Sequence, residues 1–347
     1  MRRGTIFIIL FVVIAVAVIA ASQFFRSQPP LEIRVAVSPL AEGWVREAVN
    51  SLNATNPLVN STRRVHYTVE TIDDVQVWLN ESRPWTVENH PVAWIPAADF
   101  SVQFARENRL VFEVVQPSVA RTMMIWGGFS SYVNQLEQLD WEIVAEEAPN
   151  AVLAFYHPAR TTSGLSLLLS GAGAFHDTTS LTGAEVNDRE FRAWIQPVLE
   201  AVPNFNTLGA VAETLAARGP SNGQIGFLAE AEWLQNLRGF LAQANDPVVL
   251  SYPQYTVIFE FPLARWNDTN ADETAAVNLL GNWLTDAARQ NNAANFGLRP
   301  AQGEPVEGLF LTGESYGALI SPVVQGVEPP TRNDLRQLVG WVGTIVR

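Results

Sequence analysis

From Ile33 onward the apolar residues of this chain keep changing period, two in short runs and 3.6 in the runs between. That rhythm restricts the fold more than any other feature. "EIRVAVSP" alternates Ile33, Val35 and Val37 as a strand does and stops at Ser38-Pro39. A helical face follows in Trp44, Val45, Ala48, Val49 and Leu52. "RVHYTVE" is a second strand, "IDDVQVWLNE" a helix, "HPVAWIPA" a short strand between prolines, "DFSVQFARENRL" a helix and "VFEVV" a strand. The order β-α-β-α-β-α-β predicts an α/β fold with mostly parallel sheets and helices on both faces.

The same plan returns further on. "RTMMIWGG" reads as a strand ended by Gly127-Gly128, with helical patterns around Ser130 to Leu139 and Trp141 to Glu147. "AVLAFY" is a strand that passes through "HPARTTSG" into a helix. "DREFRAWIQPVLEAV" and "NTLGAVAETLAAR" are helices, the first expected to bend or break at Pro197. "GQIGFLAEAEWLQNLRGF" runs from strand to helix, "PVVLSYP" and "YTVIFEFPLA" are strands close together, and "DETAAVNLLGNWLTDAARQ" and "RNDLRQLVGWVGTIV" are helices. Strand, polar turn and helix recur in both halves, as two α/β lobes would arrange them.

A length of 347 residues fits one large or two ordinary domains. The formal net charge is −13 and every basic residue is arginine, so the basic stripe that nucleic acid needs is missing. With no cysteine, disulfides, thiolate catalysis and cysteine-held metal are excluded. His66, His90, His157 and His176 lack metal-ligand spacing, and neither a metal nor a cofactor is expected. At the start, Arg2 and Arg3 precede an apolar segment from about Thr5 to Ala21, so residues 1–30 are expected to form a single N-terminal transmembrane helix and a linker. The globular part is then extracytoplasmic, tethered to the cell membrane. Phe24, Phe25 and Arg26 favour an uncleaved signal anchor, while Ala20, Ala21 and Ser22 leave room for a cleaved leader and a secreted protein.

In an α/β sheet, ligands sit outside the carboxyl ends of the strands, where helix starts offer free N–H groups and a positive dipole end. Two turns have that character. Ser38 ends the first strand, as an ordinary cap or as a ligand contact. Thr161-Thr162-Ser163-Gly164 has three hydroxyls where one suffices for a cap, beside a glycine that permits close backbone approach. Trp94 and Trp126 lie at strand ends and either wall a cleft or pack in the core; Tyr255 faces either a cleft or solvent. Trp44, Trp194, Trp233, Trp283 and Trp341 are expected in the core. Among catalytic readings only His157 stands out, and no acid is placed to orient it. Asp73-Asp74 and Glu146-Glu147 read as solvated helix faces.

From about Ile33 to Ala301 the chain resembles bacterial extracellular solute-binding proteins of the type II periplasmic-binding fold, relatives of which are often fused to von Willebrand factor A domains. The resemblance rests on "VAVSPLAEGWVREAVNSLN", "PVAWIPAADFSVQFA", "SVARTMMIW", "YHPARTTSGLSLLL", "GQIGFLAEAEWL", "VVLSYPQYTVIFEFPLA" and "AANFGLRPA", in that order. Arg121-Thr122 stand where relatives read Ser-Pro-hydrophobic, and Glu230 takes the place of the family's glutamate. The resemblance implies two lobes, 31–119 plus 259–347 and 120–258, that close on a ligand. It implies a non-enzymatic, membrane-tethered protein holding a small ligand, an anion or a polyhydroxylated solute, and delivering it to an ABC-type permease or other membrane-complex partner. The implied ligand-binding residues are Ser38, Trp94, Trp126, Thr161, Thr162, Ser163, Glu230 and Tyr255. The alternative is a surface scaffold or sensor for a protein partner, which predicts a filled or apolar cleft between the lobes. A hydrolase centred on His157 is the least favoured reading.

Overall fold

The computed structural model describes residues 10–16, 29–79, 84–134, 136, 139–205, 210–242 and 246–346. Of the expected membrane segment only 10–16 lie among them, as a helical stretch with Leu10 to Ile14 and Val16 exposed. The rest of that segment is outside the described residues. Among those described, no helix is long and apolar enough to cross a membrane.

The first sheet runs, edge to edge, Leu58–Val59, Arg63–Thr71, Leu31–Val37, Ala93–Ile95, Leu263–Trp266 and Phe112–Gln116. Leu31–Val37 pairs in parallel with Arg63–Thr71 and with Ala93–Ile95. Its Ile33, Val35 and Val37 face is buried, and on the other face only Ala36 is, next to Glu32 and Arg34. Ile33, Val35 and Val37 pack with Trp44, Val45 and Val49 of helix Glu42–Ala54, while Ala36 joins Trp94 and Phe112 in a separate cluster. Leu263–Trp266 returns from far along the chain and inserts antiparallel between Ala93–Ile95 and Phe112–Gln116.

The second sheet is built on the long strand Ala120–Phe129, which runs antiparallel to Arg299–Pro300, Ile258–Phe259, Ile225–Ala229 and Val248–Ser251 along its length. Leu153–Ala154 pairs in parallel with Ile225–Ala229. The expected mostly parallel sheets are therefore mixed sheets. A chain that leaves one lobe, builds the second and comes back must return its strands against the outgoing ones.

Two local expectations also change. Gly127 and Gly128 do not end their strand but lie inside it. A Cβ on Gly127 would come within 2.7 Å of the Trp233 ring, so that glycine makes room for a tryptophan of helix Glu230–Gln235. Helix Arg189–Glu200 runs through Pro197 without a break. Asp188 caps its start, and burial of Phe191, Ile195, Val198 and Leu199 outweighs the lost hydrogen bond.

The C-terminal helix Arg332–Ile345 packs on Gly183–Asn187 and Arg189–Glu200. Within the segment 259–347 expected in lobe one, this helix lies against elements of the second half. At its first residue Arg332 still reaches lobe one, donating from Nε to Trp78 O at 2.7 Å and from a terminal nitrogen to Asn108 Oδ1 at 2.6 Å. A basic residue at the start of a helix pays no favourable dipole term, so these contacts across the lobes explain its position.

Candidate functional site

Strand exits from both sheets meet at one cavity of about 320 Å³. That volume lies within the range of small-molecule sites, roughly 300–1,000 Å³. Leu31–Val37 delivers Ser38, Pro39 and Leu40; Arg63–Thr71 delivers Thr71, Ile72 and Asp73; helix Asp74–Trp78 adds Gln76. Across from them, Leu153–Ala154 leads to Tyr156 and then to Thr161, Thr162 and Ser163 at the start of helix Thr162–His176. Glu232 stands in the first turn after Ile225–Ala229. Exposed Thr71 and Gln76 form the rim, and buried Ser38, Thr162 and Ser163 the floor.

The helix start at Thr161 is fully engaged. Thr161 Oγ1 accepts the Gly164 N–H at 3.0 Å as the cap. The Thr162 N–H donates to Asp73 Oδ1 at 2.9 Å, and the Thr162 hydroxyl donates to the same oxygen at 2.8 Å. Asp73 meanwhile caps its own helix by accepting the Val75 N–H at 3.1 Å. One carboxylate therefore holds two helix starts, one in each lobe, at the position where helix dipoles favour negative charge. Gly164 serves the chain and not a ligand: a Cβ there would lie 2.5 Å from the carbonyl oxygens of Tyr156 and His157.

The cavity is acidic. Burial pushes the Asp73 carboxyl up to about 6, against the hydrogen bonds from Thr162 and Val75. Burial likewise pushes Glu232 up to about 7, with the charge of Asp73 adding to the rise. Glu232 accepts the Tyr156 hydroxyl at 2.6 Å and the Ala229 N–H at 3.1 Å. Burial, then the charge of Glu232, raises the Tyr156 phenol in turn. No arginine or histidine lines the cavity among the described residues.

Asp73→Ala should release the latch between the lobes. The loss of three charge-assisted hydrogen bonds predicts about 2–4 kcal/mol lower stability, with a larger radius of gyration by small-angle X-ray scattering. Asp73→Asn, which keeps an acceptor oxygen, should stay close to the parent in size.

Of the residues singled out by sequence, Ser38, Thr161, Thr162 and Ser163 line this cavity together. Trp94, Trp126, Glu230 and Tyr255 do not. Trp94 is fully buried against Trp85 and Phe112, with ring centroids 5.3 and 5.4 Å away. Trp126 is fully buried against Trp141 and Phe227, at 4.9 and 4.6 Å. Their strands are covered on both sides, so a strand-end tryptophan has no route to the cleft. Glu230 is fully buried and bidentate with Arg299, at 2.7 Å to Nε and 2.7 Å to a terminal nitrogen. The Tyr255 hydroxyl donates to Asp177 at 2.5 Å, at the far end of helix Thr162–His176. His157 is taken up by its turn, with Nδ1 accepting the Ala159 N–H at 3.0 Å, and burial and Arg160 hold the ring below its ordinary value.

The sequence reading missed Asp73, Tyr156 and Glu232. Asp74, its supposed partner on a solvated face, is fully buried and accepts the Ala97 N–H and the Ser101 hydroxyl, each at 2.8 Å. The available signal was position: all three missed residues follow the carboxyl end of a strand, the criterion that had picked out Ser38.

Arg121 and Thr122, which depart from the family pattern, tie the crossing strand in place. Arg121 Nε donates to Pro300 O at 3.0 Å, and Thr122 Oγ1 accepts the Ala231 N–H at 3.1 Å.

Two mixed α/β lobes joined by crossing strands, with a cavity between their strand exits, define the type II periplasmic-binding fold. Solved structures of that fold superpose on most of the chain. A periplasmic thiamin binding protein superposes with a TM-score of 0.62 at 12% identity, over 92% of this chain and 96% of that one. Maltose-bound MalE3 from T. maritima does so at 0.60 and 10% identity, over 91% and 95%. The sulfate-binding protein SubI from Mycobacterium tuberculosis H37Rv does so at 0.53 and 14%, over 88% and 96%. No family model and no curated protein matches the chain.

Proposed function

We propose that the protein is a non-enzymatic extracytoplasmic solute-binding protein that holds a small polar ligand between its lobes. The observation that carries this reading is the cavity built from the strand exits of both lobes. A ligand touching both walls favours the closed arrangement by its differential affinity. The scaffold or sensor alternative called for a filled or apolar cleft; the cavity is open and mixes Pro39, Leu40 and Ile72 with hydroxyls and carboxylates. Neighbours in fold are named for thiamin, maltose and sulfate, so the fold does not choose the ligand's charge.

The lobes follow the division 31–119 plus 259–347 and 120–258, with Arg299–Pro300 and the C-terminal helix packed on elements of the second. The apolar segment from Thr5 to Ala21 supports tethering through an N-terminal helix, and delivery to an ABC-type permease follows from the same reading.

A thermal-shift screen of amines, sugars, amino acids and oxyanions tests the proposal. At least one class should raise the melting temperature. Absence of stabilisation by every class would refute solute binding.

A further inference from the structure

We propose that the cavity selects a positively charged solute, an organic ammonium or guanidinium compound with hydrogen-bonding groups, and excludes anions. This rests on the solute-binding reading and adds the charge of the ligand to it.

The place an anion would take is already occupied. Helix Thr162–His176 is long enough to present a strong positive end, and its start receives the carboxylate of Asp73 from the facing lobe. A solute oxyanion would have to displace Asp73 and would then face two carboxylates, with no cation in the lining to offset them.

The remaining groups suit a cation that carries polar substituents. Glu232 and Asp73 stand on opposite walls, one from each lobe. Ser38 is 2% exposed and Ser163 is 7% exposed, both line the cavity, and neither hydroxyl has a hydrogen-bond partner among the described residues. Each hydroxyl can donate to and accept from a ligand's polar groups. Tyr156 lines the same space with an aromatic ring of the kind that attracts ammonium and guanidinium groups. Gln76, on the rim, offers a carbonyl oxygen and an amide.

Charge selection of this kind has a pH signature. The groups acting on Glu232 are Tyr156, the Ala229 N–H and Asp73; those acting on Asp73 are Thr162 and Val75, with Asp74 and Glu232 as the charged neighbours. Glu213 acts on Tyr156 from further off. None of these is a cation. With Asp73 near 6 and Glu232 near 7, the free protein carries protons on the cavity carboxyls at mildly acidic pH. A bound cation favours the ionised carboxylates, so binding expels protons and tightens as pH rises through both values. An anion would take up protons and bind more tightly as pH falls.

The experiment is isothermal titration calorimetry on the full-length chain in mild detergent. The probes are agmatine, spermidine and choline as cations, maltose and inositol as neutral polyols, and sulfate and phosphate as anions. A cation should bind, with affinity rising at least about tenfold between roughly pH 5.5 and pH 8. Glu232→Gln should weaken it by about tenfold or more and flatten the pH dependence. Circular dichroism establishes that the variant is folded, and Ser38→Ala, a milder change, should weaken binding by about threefold to tenfold. Binding of a polyol or oxyanion in place of the cations, with affinity flat or falling as pH rises, would overturn charge selection and leave solute binding intact. Cation binding unaffected by Glu232→Gln and Ser38→Ala would also overturn it, by placing the cation elsewhere. Binding by no probe of any class would sink the solute-binding reading itself.

Discussion

Arg299→Met should destabilise the protein by about 3–5 kcal/mol, the cost of leaving a buried charge without its partner. Arg299 is 2% exposed and lies where Arg299–Pro300 crosses Ala120–Phe129. Besides its bidentate bond to Glu230, it donates to Ile320 O and Leu319 O, each at 2.6 Å, and its guanidinium sits 5.0 Å from the Phe310 ring centre. The Tyr252 hydroxyl completes the group by donating to Glu230. Burial alone would drive the Glu230 carboxyl upward, and the arginine opposes this. Without it Glu230 must take a proton or a large desolvation cost. Urea denaturation at neutral pH measures the loss. The double variant Glu230→Leu with Arg299→Met should recover a large part of it, because no buried charge is then left alone. If the single variant is as stable as the parent, the pair does not hold the C-terminal segment to the second lobe.

Gly164→Ala should cost about 3 kcal/mol and weaken binding of any solute by an order of magnitude or more. The added methyl meets two backbone carbonyl oxygens at 2.5 Å, and neither belongs to a flexible side chain that could swing away. Relief requires the helix start to move off the Tyr156–His157 turn. That movement carries Thr161, Thr162 and Ser163 away from Asp73 and widens the cavity. A melting temperature and affinity equal to the parent's would show that the close approach of helix and turn is dispensable. Gly340→Ala is a fitting control for the method, since nothing beyond its own helix and chain neighbours lies within 4 Å of the added methyl and its φ is not positive.

The two turns that the sequence offered as facing partners, Ser38 and Thr161 to Ser163, line one cavity, but they do so in a role different from the one expected. The extra hydroxyl at Thr162 donates to a protein carboxylate. The glycine accommodates the chain's own backbone. On the reading proposed above, Asp73 takes the place at the helix start that an anion would occupy.

Other misreadings share one cause. Trp94 and Trp126 were chosen for residue type at the end of a strand, and Glu230 for its place in the family pattern, yet neither says which side of a sheet is covered. Asp73-Asp74 looked like a charged pair on a short solvated helix. In the structure one caps two helices and the other is buried beneath Ala97 and Ser101.

The sequence by itself determined the local elements and the class of fold, because alternation, helical periodicity and the chemistry of turns are short-range properties of neighbouring residues. It also marked the strand exits as the place to look, since strand-to-helix order fixes where helix starts are. Only the tertiary structure decided what those exits face. The Asp73–Thr162 bond spans 89 positions and the Arg299–Glu230 pair 69, and pairings of that length depend on how two lobes dock. The charge of the cavity is a sum over residues brought together by that docking, so no window of the sequence contains it.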